Sequence, residues 1–108
     1  MRVQITARNG RIADAIRARA ERGVASLRRF EPRMSAADIV FEEVGSQNRV
    51  EILVTVDGTD MAVAHAEVRG IRRALDLALD RVRGILTKHR EQSRDHRGTS
   101  LTDALGET

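Results

Sequence analysis

From Arg69 to Arg97 the chain repeats apolar residues at Ile71, Ala74, Leu75, Ala78, Val82, Ile85 and Leu86, with His89 continuing the series. Steps of three and four place these residues on one stripe of an α-helix. Most of the other positions are charged, nine basic side chains against four acidic, a segment charge of +5. One long helix therefore offers a face for a core and a face for something anionic.

The rest of the chain must supply the surface which that stripe covers. Arg2-Val3-Gln4-Ile5-Thr6 alternates polar and apolar residues and predicts a short half-buried strand, with a turn at Arg8-Asn9-Gly10. A first helix is predicted from about Arg11 to Arg29, with Ile12, Ile16, Ala20, Val24, Leu27 and Phe30 on one stripe. Ala13 stands where a capping Ser, Thr or Asp is expected. Gly23 costs this helix roughly 1 kcal/mol relative to alanine, and Pro32 stops it, because the residue before a proline is driven out of helical geometry.

Beyond Pro32 the period changes to two. Asp38 to Val44 and Arg49 to Val56 read as strands joined by a turn at Gly45-Ser46-Gln47-Asn48. Asp57-Gly58-Thr59 makes a second tight turn, and Met61 to Ala66 a fourth strand. The order β-α-β-β-β-α predicts an α+β two-layer sandwich, a four-stranded sheet with both helices on one face. Residues 1–91 form this one domain, and 92–108 read as a flexible polar C-terminal tail. A chain of 108 residues holds one core and not two.

Charge is segregated along the chain. Residues 8–33 carry +5, 34–68 carry −6 and 69–97 carry +5. The basic blocks coincide with the helices and the acidic block with the strands. The predicted molecule is thus basic on its helix side and acidic on its sheet side, with Glu42, Glu51 and Glu67 as candidates for the acidic face.

Several classes find no support. Cysteine is absent, which excludes disulfides, thiolate catalysis and zinc–cysteine sites. His65, His89 and His96 lack a carboxylate cluster that would complete a metal site, and no glycine-rich phosphate loop joins a strand to a helix. Glu42 and Glu43, neighbours on a strand, point to opposite faces and cannot act as a pair. The expectation is a non-enzymatic protein with no cofactor, no metal and no small-molecule substrate. No apolar run suits a membrane span or a secretory leader, so a cytoplasmic location is expected.

Two basic helices side by side would make a surface about 28 Å long, at 1.5 Å per residue. A phosphate backbone is the usual partner of such a surface. Phe30 and Phe41, the aromatic residues, both sit at core positions, which disfavours base stacking on a single strand. Recognition of a folded RNA by shape and phosphate remains, with the arginines of both helices, including Arg72 and Arg73, as contacts.

Particular stretches carry a resemblance. They are Val3-Gln4-Ile5-Thr6-Ala7-Arg8-Asn9, Ala15-Ile16-Arg17, Leu27-Arg28-Arg29-Phe30 with Arg33-Met34, Ala74-Leu75-Asp76-Leu77-Ala78-Leu79-Asp80-Arg81-Val82, and Leu86-Thr87-Lys88-His89-Arg90-Glu91. With these the chain resembles the ribosome hibernation-promoting factors, also called protein Y, ribosome-associated inhibitors or sigma-54 modulation proteins, in their short form. The resemblance implies a bacterial stress or stationary-phase factor in the mRNA and tRNA channel of the small ribosomal subunit. Such a factor blocks initiation and acts alongside other hibernation factors. By position, the rRNA-contacting residues fall on Arg17, Arg22, Arg28, Arg29, Arg81, Lys88 and Arg90. Two departures stand out. Gly70-Ile71-Arg72 replaces an acidic-Met-Tyr sequence, and Gly23 takes a basic position. The alternative is a divergent relative that acts as a protein-interaction module through its acidic sheet face.

Overall fold

The structure, a computed structural model, describes the backbone of residues 1–8 and 10–107 and the side chains of residues 1–8, 10–59 and 62–92. Its elements are β1 (Arg2–Ala7), α1 (Asp14–Phe30), β2 (Met34–Val44), β3 (Gln47–Val56), β4 (Thr59–Val68) and α2 (Ile71–Glu107). The order is the predicted one, β-α-β-β-β-α.

The sheet runs β1-β2-β3-β4. β1 lies parallel to β2, with Ile5 opposite Ile39, because α1 carries the chain back to the same end of the sheet. The other pairs are antiparallel hairpins. Asp57 and Gly58 both have positive φ, at 53° and 78°, and link Val56 to its partner Thr59. This is the type I′ turn whose twist matches that of the strands it joins, and an Asp-Gly pair suits its left-handed positions.

Alternation sends Ala37, Ile39 and Phe41 of β2, Val50, Ile52, Val54 and Val56 of β3, and Ala62, Ala64 and Ala66 of β4 to one side of the sheet. All are buried under the helix stripes, Ala20, Val24 and Leu27 of α1 and Ala74, Leu75, Ala78, Val82 and Leu86 of α2. The result is one core between two layers, with the other sheet face open to water.

Several boundaries differ from the sequence reading. β2 begins at Met34 and not at Asp38. Its first residues, Met-Ser-Ala-Ala, have low strand propensity, but pairing on both sides overrides this: Ala37 lies between Val3 and Val54. A register shift between Met34 and Ala36 marks the start. α1 starts at Asp14, with Ala13 extended at the cap position and making no side-chain cap bond. α2 continues to Glu107, past the loss of apolar period at Glu91. The side chains of the expected tail from residue 93 onward, and Thr108 altogether, lie outside the described residues.

Candidate nucleic-acid interface

The two helices are fixed to each other along one turn. Arg19 donates from Nε to Asp76 Oδ1 at 2.8 Å and from Nη2 to Oδ2 at 2.9 Å, a bidentate fork–fork pair. Arg19 holds the Asp76 carboxyl below the usual aspartate value by hydrogen bonding; partial burial opposes this, and the charges of Arg19 and Arg72 add to it. One turn along α1, Gly23 meets Leu79. A Cβ built on Gly23 would lie 2.5 Å from Leu79 Cδ1, so the absent side chain is what lets the helices approach.

A second joint closes the far end of α1. Glu31 is 4% exposed. Its carboxylate accepts hydrogen bonds from the backbone N–H of Arg33 at 3.1 Å and from Arg33 Nε at 3.2 Å. Burial alone would raise its pKa, but the bonds from Arg33, with the charges of Arg33 and Arg90, hold it below the usual glutamate value. Arg90 of α2 donates from Nη1 to the Phe30 carbonyl at 3.0 Å, which gives a cation to the negative end of the α1 dipole. The guanidinium carbons of Arg83 and Arg90 lie 5.2 and 5.6 Å from the centroid of the Phe30 ring.

All nine basic residues expected at the interface, Arg17, Arg22, Arg28, Arg29, Arg72, Arg73, Arg81, Lys88 and Arg90, are exposed. They do not form one uniform strip. Arg72 lies beside the Arg19–Asp76 clamp and Arg90 beside Phe30, so both border the seam between the helices. Arg81 and Lys88, two turns apart, line a groove against β4 on the other flank of α2. Arg72 and Arg73 share a depression with Asp76 and Asp80, which partly offset them.

Their availability also differs. Arg81 donates to the His65 carbonyl at 2.7 Å, and Arg90 is committed to Phe30. Arg17, Arg22, Arg28, Arg29, Arg73 and Lys88 form no ion pair among the described residues. Free guanidinium and ammonium groups of this kind can take phosphate oxygens without first breaking an internal bond. Sequence reasoning missed Arg83, which joins Arg90 at Phe30, and Arg19, whose partner is 57 positions away. The structure gives the Asp76 carboxylate to Arg19 of α1.

The open sheet face is less acidic than its sequence block suggests. Arg2 pairs with Asp38 at 3.3 Å and Arg8 with Glu42 at 3.6 Å. Arg49 serves both Glu51 and Glu67, at 3.3 and 3.8 Å. Two of these arginines come from outside the acidic block, brought in by the β1–β2 pairing. The three glutamates of the expected acidic face are therefore already engaged. Among the described residues no group of three His, Asp or Glu side chains is placed to hold a metal ion, and no helix is long and apolar enough to cross a membrane. His96 lies outside the described side chains.

Comparison with known proteins adds to this geometry. Residues 3–94 match the family model described as sigma 54 modulation protein / S30EA ribosomal protein. The fold matches a ribosomal subunit interface protein from Coxiella burnetii with a TM-score of 0.77, at 22% identity, over 84% of this chain and 99% of that one. It also matches the N-terminal domain of Thermus thermophilus Protein Y with a TM-score of 0.72, at 28% identity, over 82% of this chain and 99% of that one. No curated protein sequence matches the chain.

Proposed function

Since the chain belongs to the sigma 54 modulation protein / S30EA ribosomal protein family, we propose that it is a ribosome-associated translation inhibitor whose two helices grip small-subunit rRNA. It acts in the cytoplasm of bacterial cells under stress or in stationary phase, alongside other hibernation factors. Its mode of action is occlusion of the mRNA and tRNA channel, and no bond is made or broken.

The observation that carries this reading is the contrast between the two faces. The exposed cations of α1 and α2 are largely free, whereas the carboxylates of the sheet face are bound to arginines of the same face. A phosphate backbone thus meets unpaired positive charge on one side of the molecule and a nearly compensated surface on the other. The same contrast weighs against a protein-interaction module built on Glu42, Glu51 and Glu67. The Arg19–Asp76 clamp and the Gly23–Leu79 approach hold the two cation-bearing helices together as one surface, which suits recognition of RNA by shape.

Co-sedimentation of the purified chain with bacterial ribosomes over a salt series, with and without excess tRNA, tests the proposal. Pelleting is expected to fall steeply with salt and to be competed by tRNA. Reversing Arg22, Arg29 and Arg73 to glutamate, residues with no internal ion pair, is expected to reduce the log–log salt slope by about three. Absence of pelleting at low salt, or pelleting indifferent to both tRNA and the triple reversal, would overturn it.

A further inference from the structure

Among the described residues β4 is bonded to β3 on one side and to no strand on the other. Along that free side runs an open groove of about 480 Å³ between β4 and α2, lined by Val63, Ala64, His65, Arg81, Ile85 and Lys88, with Gly84 at its wall. On the helix side Ile85 stands open at 37% exposure, while Val63, 56% exposed, alternates with Ala62 and Ala64 and faces the open side of the sheet. Gly84 has nothing within 4 Å of where its Cβ would be, so the helix wall is hollow at that point. The rim is cationic, and Arg81 reaches across to the His65 carbonyl at 2.7 Å.

We propose that this groove receives an extended segment of a partner protein, added to β4 as a fifth strand, whose helix-facing residues, every second one along the segment, are a carboxylate, an aliphatic residue and a carboxylate. Three features select that occupant. A bare strand edge pairs with extended backbone, and side chains on alternate residues of the guest supply specificity. Ile85 and the hollow at Gly84, both on the helix side, accept an aliphatic group. Arg81 and Lys88 attract carboxylates, and Arg81 gains by exchanging a neutral carbonyl for a charged acceptor.

A second copy of this chain fits poorly, because strand-to-strand pairing across β4 would bring the cationic rim of one molecule against that of the other. An RNA would use Arg81 and Lys88 but would leave the apolar floor and the strand edge unfilled. The inference rests on the β4 edge and does not need ribosome binding, although it draws on Arg81 and Lys88 of the expected rRNA-contacting set, so a bound peptide and rRNA would compete there.

The test uses the full chain without ribosomes. Amide chemical shifts are followed while an end-blocked heptapeptide is added that carries glutamate, valine and glutamate at its second, fourth and sixth positions and threonine elsewhere. Shifts are expected in residues 62–67 of β4 and 81–88 of α2. Peptides with lysine in place of both glutamates, or serine in place of the valine, should bind at least about tenfold more weakly. Gly84→Leu fills the hollow from an exposed helix position with no neighbour to displace. It should likewise weaken the glutamate–valine peptide by at least about tenfold while leaving the remaining spectrum unchanged. Shifts confined to the α1 arginines, equal binding of the lysine peptide, unaltered affinity in Gly84→Leu, or no binding at millimolar peptide would each overturn the proposal. So would an RNA hairpin that perturbs the β4 and α2 amides, and is weakened by Gly84→Leu, where the peptide does neither.

Discussion

Asp76 of α2 accepts both the Nε and the Nη2 hydrogens of Arg19 of α1, at 2.8 and 2.9 Å, and so joins the two helices at a point where neither is fully buried. Removing either partner is expected to lower the urea midpoint. The effects of Arg19→Gln and Asp76→Asn should be less than additive in the double variant, and the coupling should shrink as salt is added, as expected for a half-exposed pair. Each single effect should be smaller than that of the core truncation described next. Additive effects would mean that the clamp contributes nothing to stability.

Leu75 is fully buried where α2 meets the sheet, whereas Ile85 on the same helix is 37% exposed. Leu75→Ala removes buried methyl groups and leaves a cavity, with an expected loss of about 2–5 kcal/mol. Ile85→Ala should cost under about 1 kcal/mol, because water already reaches that side chain. Equilibrium urea unfolding of the two variants checks the contrast.

The glycines of the helices should respond in opposite ways. Gly84→Ala places a methyl group in open space, so the gain in helix propensity, about 1 kcal/mol, should appear in full. Gly23→Ala meets Leu79 Cδ1, and turning that side chain aside should cancel most of the gain. On a Leu79→Ala background the same Gly23→Ala change should stabilise by about 1 kcal/mol, an interaction that a double-mutant cycle reads directly.

Stability should fall in acid partly because of Glu31. Its carboxyl is held below the ordinary glutamate value of 4.5 in the folded chain. The unfolded state therefore takes up a proton first as pH drops. The stabilisation is complete above about pH 5 and is lost as pH falls through the folded value. Glu31→Gln, measured by urea midpoints between neutral pH and pH 3, should be less stable than the parent at neutral pH and should lose less on acidification. Parallel curves would remove Glu31 from the account.

The features readable in the sequence were those set by near neighbours. The period-two runs and the Asp57-Gly58 pair predict the β3–β4 hairpin, and the steps of three and four in α2 predict Leu75, Val82 and Leu86 as core. What escaped the reading depends on tertiary pairing. Met34 to Ala37 carries no strand signal of its own and is extended because β1 and β3 flank it. Arg19 and Asp76 each look like solvated helix charges until the packing brings them together. Arg49 reads as one cation among seven acids, yet with Arg2 and Arg8 it compensates the sheet face. The nine expected interface residues are exposed, but that Arg72 and Arg90 border the helix seam while Arg81 and Lys88 line the β4 edge follows from how α2 lies on the sheet, which no spacing rule encodes.

The parallel pairing of β1 with β2 has a consequence for how the molecule is made. During synthesis the first thirty residues emerge without a partner, since β1 needs β2 beside it and the α1 stripe of Ala20, Val24 and Leu27 needs a sheet beneath it. The β3 and β4 hairpins follow, but their inner valines and alanines stay wet until α2 delivers Leu75, Val82 and Leu86. The shared core thus closes only when α2 packs on the sheet. The assembled pair of basic helices exists only in molecules whose synthesis has run past the core residues of α2, and an interrupted chain carries the charge without the shape.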